Sequence, residues 1–306
     1  MLRKLTLVLG ITIVGAAVAA CSPSRMAADL AGKAMAGGGD VYASEEDPEL
    51  LMAALPFGLK TMEGLITSSP GNTNLRLAAG RGFAAYAYLV QQAQGGGRPA
   101  TTAERRAFDH RVSRLFQRGR DHAMAGLEAR HPGFAEALKT DREAALARTG
   151  PADAELLYWA GAAWAGAIAA DKRDLAMVAA LPIAASLVIR TAELDDSFDG
   201  GAAHEFLMLY QAGRPGGALD VAEAHYRRAV ELSGGTSAGA HVGYAEMIAV
   251  ARQDRTAFRR ALAAALAVDT DAAPERRLTN VLAQRKARRL IEQEDLLFLT
   301  PEGDIS

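Results

Sequence analysis

From residue 47 onward, the apolar side chains recur every third or fourth position, which is the period of an α-helix. The first such stretch carries Leu55, Leu59, Met62 and Ile66 at this spacing. Strand-type alternation and runs of β-branched residues are nearly absent. The pattern therefore predicts an all-α protein.

Capping residues set the expected helix boundaries. Asp47 before Pro48 is a typical helix start, Thr101 with Glu104 is a capping box, and Asp153 is the expected cap of a helix over 154–170. The other predicted helices cover residues 50–66, 75–92, 101–130, 134–148, 175–194, 202–212, 218–232, 237–252, 255–268 and 274–294. The last is rich in Arg and Lys, so we expect it to cap the open end of a helix stack.

Several helices look like copies of one another. Three of them end at Asp195, Ser233 and Asp269, a period of about 37 residues that is typical of tetratricopeptide-type helix pairs. The tetrapeptide Ala-Ala-Leu-Pro occurs at 53–56 and at 179–182, and we expect a proline kink at both places. The predicted architecture is a single domain over 47–299, built as a tetratricopeptide-like array of stacked antiparallel helix pairs, with a tail over 300–306.

The N-terminus has the pattern of a lipoprotein. Residues 1–20 form a signal peptide with a basic start and an apolar core, and small residues precede the single cysteine, Cys21. This order resembles a bacterial lipobox, so we expect Cys21 to be lipidated, although an ordinary secretory signal remains an alternative. Ser22 favours sorting to the outer membrane. Residues 21–46 are small, polar and glycine-rich and are expected to form a flexible tether, with a local helix possible over 26–35.

Composition and charge exclude some classes of function. Acidic and basic residues nearly balance, 36 against 34, so no basic stripe indicates nucleic acid. Alanine and glycine dominate the apolar half of the chain, which favours closely packed helices. We assign no cofactor.

Two stretches superficially match catalytic or metal motifs. Residues 235–239 read Gly-Thr-Ser-Ala-Gly, but a hydrolase needs this sequence on a strand-to-helix elbow. After a helix, the glycines are expected to be a C-cap and Ser237 an N-cap. His204-Glu205 lacks the second histidine of a zinc motif, since residue 208 is Met. We therefore predict neither catalytic residues nor a metal site.

Aromatic residues are few and are expected mostly in the core. A second interpretation is that some of them line a ligand channel, because apolar pockets are the usual ligand sites. The channel candidates are Phe83, Tyr86, Trp159, Trp164, Phe206 and Tyr210.

A set of weak motifs in a fixed order resembles one known family. They are Leu55-Pro56, Gly82-Phe83-x2-Tyr86-x-Tyr88, Leu157-Tyr158-Trp159-x4-Trp164, Phe198-Asp199-Gly200-Gly201-Ala202-x-His204-Glu205, the stretch 231–235, and Ala273-Pro274-Glu275-x2-Leu278-x-Asn280. Together they resemble the TatT family, the T components of tripartite ATP-independent periplasmic (TRAP) transporters.

The resemblance implies an all-α periplasmic lipoprotein that is not an enzyme. It further implies a homotrimer whose protomers each hold a channel and which docks with the periplasmic solute-binding protein, the P component. The predicted function is therefore to associate with that protein and assist uptake of a small solute, with hydrophobic molecules as candidates. The alternative is a tetratricopeptide-like envelope lipoprotein that acts as a protein scaffold. A third hypothesis, a hydrolase, requires Ser237 within about 3 Å of His204 or His241.

Overall fold

The computed structural model describes residues 23–37, 39–93 and 101–299, and in these ranges it contains helices and no strand. The all-α prediction is therefore confirmed. The α-helices are α1 (Pro23–Gly37), α2 (Gly39–Ala43), α3 (Pro48–Ser68), α4 (Thr73–Ala93), α5 (Thr102–Arg130), α6 (Phe134–Thr140), α7 (Arg142–Ala147), α8 (Ala154–Ala170), α9 (Leu175–Ala179), α10 (Leu181–Leu194), α11 (Ala202–Gly213), α12 (Leu219–Leu232), α13 (Ala238–Gly243), α14 (Arg255–Ala267), α15 (Arg277–Glu292) and α16 (Glu294–Leu297). The signal peptide, Cys21 and the tail over 300–306 lie outside the described residues.

Most helix starts and stops follow the expected capping chemistry. The Asp47 carboxylate accepts the Glu49 and Leu50 amides at 3.0 and 2.9 Å, and the predicted capping box at Thr101 is formed. After α12, the Gly235 amide donates to the Val230 carbonyl at 3.0 Å, which is the outer bond of a Schellman motif. The first glycine of the Gly-x-Ser-x-Gly match thus ends a helix, as predicted, whereas the second, Gly239, lies inside α13.

Two predicted helices are each divided in the structure. The helix predicted over 134–148 is two helices, because Asp141 ends α6 and its carboxylate then caps α7 by accepting the Ala144 amide at 3.1 Å. The helix predicted over 175–194 is divided into α9 and α10 at Ala180. Pro182, in the first turn of α10, has no amide hydrogen and cannot continue the hydrogen bonding of α9.

The two Ala-Ala-Leu-Pro copies are not equivalent, since Pro56 lies inside the continuous helix α3. Helix lengths also differ widely, from 4 residues in α16 to 29 in α5. An array of equal tetratricopeptide-like pairs therefore stays a prediction.

Asp153 has a different role from the predicted one. Its side chain makes no capping bond to α8; it accepts the Gly150 amide at 3.0 Å and His131 Nε2 at 2.9 Å, and pairs with Arg130. These contacts close the short 3-10 turn Pro151–Asp153 and fix it to the end of α5.

Small residues let neighbouring helices approach closely, as the composition predicted. A Cβ atom at Gly161 of α8 would lie 2.6 Å from the Ala184 carbonyl oxygen of α10. At Gly119 of α5 it would lie 2.8 Å from the Gly80 carbonyl oxygen of α4. Glycine at these two contacts sets the distance between helix axes, because any side chain would force the backbones apart.

Successive helices pack in chain order, with α4 against α5, α5 against α8, α8 against α10 and α11 against α12. The last long helix then connects the two ends of the chain. One side of α15 joins the C-terminal core through Ala287 and Leu290, and Leu278 and Leu282 join the core of α3 and α4. Helix α15, which was predicted to cap one open end of a helix stack, therefore packs on both ends of the chain and connects them.

The segment interpreted as a flexible tether is helical in the part that the structure describes. Helix α1 packs on α4, with Ala28 fully buried. The Asp29 carboxylate accepts hydrogen bonds from Ser69 and Asn72, both at 2.7 Å. A buried alanine and a satisfied carboxylate explain why this polar stretch is docked rather than extended.

Among the residues that the structure describes, two helical spans are long and apolar enough to cross a bilayer by length and composition, Pro48–Ser68 and Leu175–Leu194. Each also buries part of its apolar surface in the body of the protein. Leu51, Leu55 and Leu59 of the first and Leu187 and Val188 of the second are core residues.

Candidate ligand cavity

A cavity of about 370 Å³ lies where the first helices of the chain meet the last. Its walls come from α1 to α4, α8, α15 and the 3-10 turns Phe198–Gly200 and Pro274–Arg276. Apolar side chains that line it include Met35, Leu51, Leu55, Met62, Trp159 and Phe198. The inner face of α3 and the closing helix α15 thus form a largely hydrophobic chamber.

One region of the cavity is charged. Arg81 of α4 pairs with Glu155 of α8 at 3.3 Å. Arg276 donates to the main-chain carbonyl of Asp199, and its guanidinium lies 3.8 Å from the Asp199 carboxylate. Two arginines therefore share this largely apolar cavity with three acidic residues, Glu155, Asp199 and Glu275, which gives the cavity a polar end that can orient a ligand.

The carboxylates of this region resist ionisation. Burial raises the pKa of Glu155, and the charge of Asp199 adds to this while Arg81 opposes it. Burial also raises the pKa of Asp199, against the effect of Arg276. Water-poor surroundings destabilise the charged form, and a second nearby carboxylate does the same. The two arginines therefore act against burial and favour the ionised form of both groups.

The Phe198–Gly200 turn has an unusual backbone. Asp199, Gly200 and Gly201 all have positive φ, at 44°, 53° and 97°. Asp tolerates the left-handed region better than most residues, and at Gly200 a side chain would collide with the Arg276 guanidinium. The Phe-Asp-Gly-Gly motif thus bends the chain so that Phe198 and Asp199 both reach the cavity.

A second buried polar group adjoins the first. The Glu205 carboxylate of α11 accepts the Ser237 hydroxyl at 2.5 Å. Burial raises the pKa of Glu205, with the Ser237 bond acting in the opposite direction. Burial and the charges of Asp199 and Glu205 raise the pKa of the Tyr158 phenol. Glu205 therefore extends the acidic region from the cavity toward α11.

Tyr88 of α4 lies within reach of the same carboxylate. Burial, together with Glu246 and Glu205, raises the pKa of its phenol to about 12, although Arg289 acts in the opposite direction. Glu246 belongs to the π-helical segment Tyr244–Ala249 and pairs with Lys286 of α15 at 2.6 Å. π-Helical segments often occur at functional sites because they displace side chains from regular helical positions.

The six aromatic channel candidates lie in different places. Trp159 lines the cavity. Phe206 and Tyr210 stack on each other along α11, with ring centroids 6.5 Å apart. Phe83 is buried and stacks on His122, and Tyr86 is half-buried between α3 and α5.

Trp164 is half-buried on α8. Its indole nitrogen is buried without a hydrogen-bond partner, and the Arg120 guanidinium lies 5.1 Å from its ring. The structure therefore joins Trp159 to the cavity, pairs Phe206 with Tyr210, and does not gather all six around one space.

The arrangement required for a serine hydrolase is not formed in the described residues. Ser237 Oγ donates to Glu205 and accepts the Ala240 amide at 3.3 Å, which is the predicted N-cap. His204 instead bonds His225 and Asp196, both at 2.9 Å, and His241 bonds the Tyr226 hydroxyl at 2.9 Å. No group of three or more His, Cys, Asp or Glu in this part of the chain could hold a metal ion.

Several cavity residues were not identified from the sequence, namely Met35, Tyr42, Arg81, Glu155 and Arg276. One signal was available, because Glu155 is the single charged residue of the 17-residue helix α8. A lone carboxylate on an alanine-rich helix needs a partner or water. The partner, Arg81, is far away along the chain, so periodicity alone could not identify it.

The sequence is similar to known proteins over most of its length. A protein of Treponema pallidum (strain Nichols), described as uncharacterized, is 29% identical over 268 residues, which cover 85% of this chain and 83% of the relative. The family described as TRAP transporter T-component matches residues 44–298, most of the chain. The match includes the helices and turns that form the cavity, except α1 and α2. The chain therefore belongs to the TRAP transporter T-component family.

Proposed function

We propose that this protein is a lipid-anchored periplasmic component that associates with the solute-binding protein of a TRAP system and assists uptake of a small hydrophobic solute. The supporting observation is the cavity with apolar walls and a charged end, in a member of this transporter family. Its volume of about 370 Å³ falls within the range of ligand sites, about 300–1,000 Å³.

The cavity favours a solute with an apolar body and one polar end. Leu51, Leu55 and Trp159 would contact the apolar part. The Arg81–Glu155 pair would orient the polar part, because a few charged or polar groups at the wall of an apolar pocket fix the orientation of a ligand. Of the six aromatic candidates, Trp159 is the one that we propose contacts the solute directly.

The location follows from the N-terminal sequence. We propose lipidation at Cys21, with the outer membrane favoured by Ser22, and a homotrimer as implied by the family resemblance. Replacement of Cys21 by Ser is expected to move the protein from the detergent phase to the aqueous phase in a detergent phase-separation assay. Retention of Cys21→Ser in the detergent phase would contradict the lipid anchor.

The ligand function is tested by filling the cavity. Ala85 lines the cavity, whereas Ala169 on α8 is exposed. Ala85→Trp would therefore fill the cavity, and Ala169→Trp adds the same side chain at the protein surface as a control. Mass spectrometry of solvent extracts from purified protein should detect a co-purified molecule with wild type and Ala169→Trp, and a severalfold loss with Ala85→Trp. Equal recovery from both variants would contradict a ligand in this cavity.

The partner function is tested separately by purification from a detergent extract of native membranes. We expect the periplasmic solute-binding protein to co-purify with the wild type. Recovery of the bait alone would contradict the association. The alternative function as a protein scaffold would instead be supported if other envelope proteins co-purify, and if Ala85→Trp recovers the same proteins as the wild type.

A further inference from the structure

Helix α1 is fixed to the body of the protein on one side. Ala28 is fully buried, and Asp29 bonds Ser69 and Asn72. A Cβ atom at Gly32 would lie 2.9 Å from the Leu75 side chain, so the two helices are in close contact there. The opposite face of α1 must therefore point away from the body.

That opposite face is apolar and basic. Met26 and Leu30, one helical turn apart, are 65% and 72% exposed, and Lys33 continues the same face toward the C-terminal end. Arg25 flanks it. Exposed apolar residues with Lys and Arg beside them are characteristic of helices that lie in a membrane interface.

The adjoining helices continue this surface. On the outward face of α3, Leu50 and Phe57 are 57% and 81% exposed, with exposed alanines between them. Val41 of α2 is 72% exposed. The Tyr42 hydroxyl lies 3.9 Å from the point that a Cβ of Gly58 would occupy, which places α2 next to the α3 turn that carries Phe57.

We infer that this N-terminal apolar surface, formed by Met26, Leu30, Val41, Leu50 and Phe57, rests on a lipid bilayer. The inference depends on the proposed lipid anchor at Cys21. Pro23 begins α1 two residues after Cys21, which is at most about 7 Å of extended chain. Because α1 is docked, an acylated Cys21 holds the body against the membrane with this surface next to the anchor.

Charge favours lipid over an apolar protein groove as the occupant. Arg25 and Lys33 border the apolar residues of α1 and would meet lipid phosphates. Of the acidic residues over 45–49, Glu46 is exposed, whereas the other three make contacts within the protein. Glu45 accepts the Asp47 amide at 2.9 Å, the Asp47 carboxylate caps α3, and Glu49 pairs with Arg285 at 2.5 Å. The acyl chains of a lipoprotein cysteine would supply the attachment, and this apolar surface would fix the orientation of the body at the membrane.

This orientation would deepen the proposed function. Met35, Tyr42, Leu51 and Leu55 line the cavity from the inner side of the same three helices. Helix α3 therefore separates the cavity from the membrane-facing surface by the thickness of one helix. A hydrophobic solute would reach the cavity from the bilayer side, past Tyr42, which is 39% exposed.

The test uses the full-length precursor, processed in bacterial membranes and reconstituted in vesicles of phosphatidylcholine and phosphatidylglycerol. Phe57→Cys is labelled with an environment-sensitive fluorophore, and Ala144→Cys is the matched control, since Ala144 is exposed on α7, which packs on α6 and α10. Mass spectrometry of the N-terminal peptide records acylation of Cys21.

At residue 57 we expect a blue-shifted, severalfold brighter emission that nitroxide-labelled lipids quench, and at residue 144 neither change. A water-like probe at residue 57 on acylated protein would overturn the membrane-facing surface while leaving the anchor intact. A shielded probe at residue 57 that lipid nitroxides do not quench would also overturn it, because a second copy or another protein then covers the surface. An unacylated Cys21 would overturn the anchor and this inference together.

Discussion

The Arg81–Glu155 pair is the contact whose loss we expect to have the clearest pH signature. In Arg81→Met the Glu155 carboxylate would remain beside Asp199 in a water-poor cavity with its cation removed. Removing one partner lowers the free energy of unfolding by about 3–5 kcal/mol in a fully buried ion pair and by about 0–1 kcal/mol in an exposed one. The two side chains keep 25% and 40% of their surface accessible, so the expected loss at pH 7.5 is intermediate, about 1–2 kcal/mol.

The loss should depend on pH in a defined direction. Burial raises the pKa of Glu155 in the folded protein, and removal of Arg81 raises it further. An acid whose folded pKa is raised destabilises the protein as pH rises from its unfolded pKa, about 4.3, through the folded pKa. Below that range the carboxyl is protonated in both states. The deficit of Arg81→Met should therefore be small at pH 4 and complete near neutrality.

Urea unfolding followed by circular dichroism at both pH values measures this difference. The double variant Arg81→Met/Glu155→Gln removes the unpaired carboxylate and should recover most of the loss at pH 7.5. Arg227→Met is the control, because its side chain is 72% exposed and its partner Glu223 also pairs with Arg252, so no carboxylate loses its only cation. A deficit of the same size at both pH values, or no recovery in the double variant, would show that Arg81 does not act through the charge of Glu155.

Three further outcomes are expected. Leu282→Ala should lower the free energy of unfolding by about 2–4 kcal/mol, since this leucine is buried where the two ends of the chain meet. Ile291→Ala, on the exposed side of α15, should lower it much less. Equal losses in urea unfolding would refute the packing of α15 between the two ends of the chain. Gly161→Ala should lower the melting temperature, because its methyl group would meet a main-chain carbonyl of α10. Gly64→Ala, whose methyl group meets nothing within 4 Å, should raise the melting temperature slightly. A rise in both variants would refute the close contact between α8 and α10. Ultraviolet titration of Tyr88→Phe should match the wild type up to pH 10.5, since the Tyr88 pKa is about 12, and a lost phenolate signal below that pH would contradict its burial.

Local sequence chemistry was enough to predict the helices and many of their ends. Asp47, Thr101 and Ser237 each cap the helix expected of them, because a side chain bonding to amides two or three residues ahead is a short-range interaction. The errors arose where one residue had more than one possible partner. Asp153 bonds His131, Arg130 and the Gly150 amide instead of capping α8, and the sequence contains no signal for that choice.

The cavity was harder to predict than the helices. The resemblance motifs included Asp199 and Trp159, both of which line it. Arg81 and Arg276 reach it from helices whose relative placement depends on the closure by α15. The tether prediction was incomplete for a similar reason, since the docking of α1 depends on Ser69 and Asn72, which lie more than thirty residues later in the sequence.

The position of α15 has a consequence for biogenesis. A secreted chain leaves the translocon N-terminus first, so α3 and α4 emerge well before Leu278 and Leu282 can cover their apolar faces. The binding chamber would then be completed only when the final long helix arrives. Until that moment the leucines of α3 would be available to periplasmic chaperones, and a prematurely terminated polypeptide would keep them open to proteolysis.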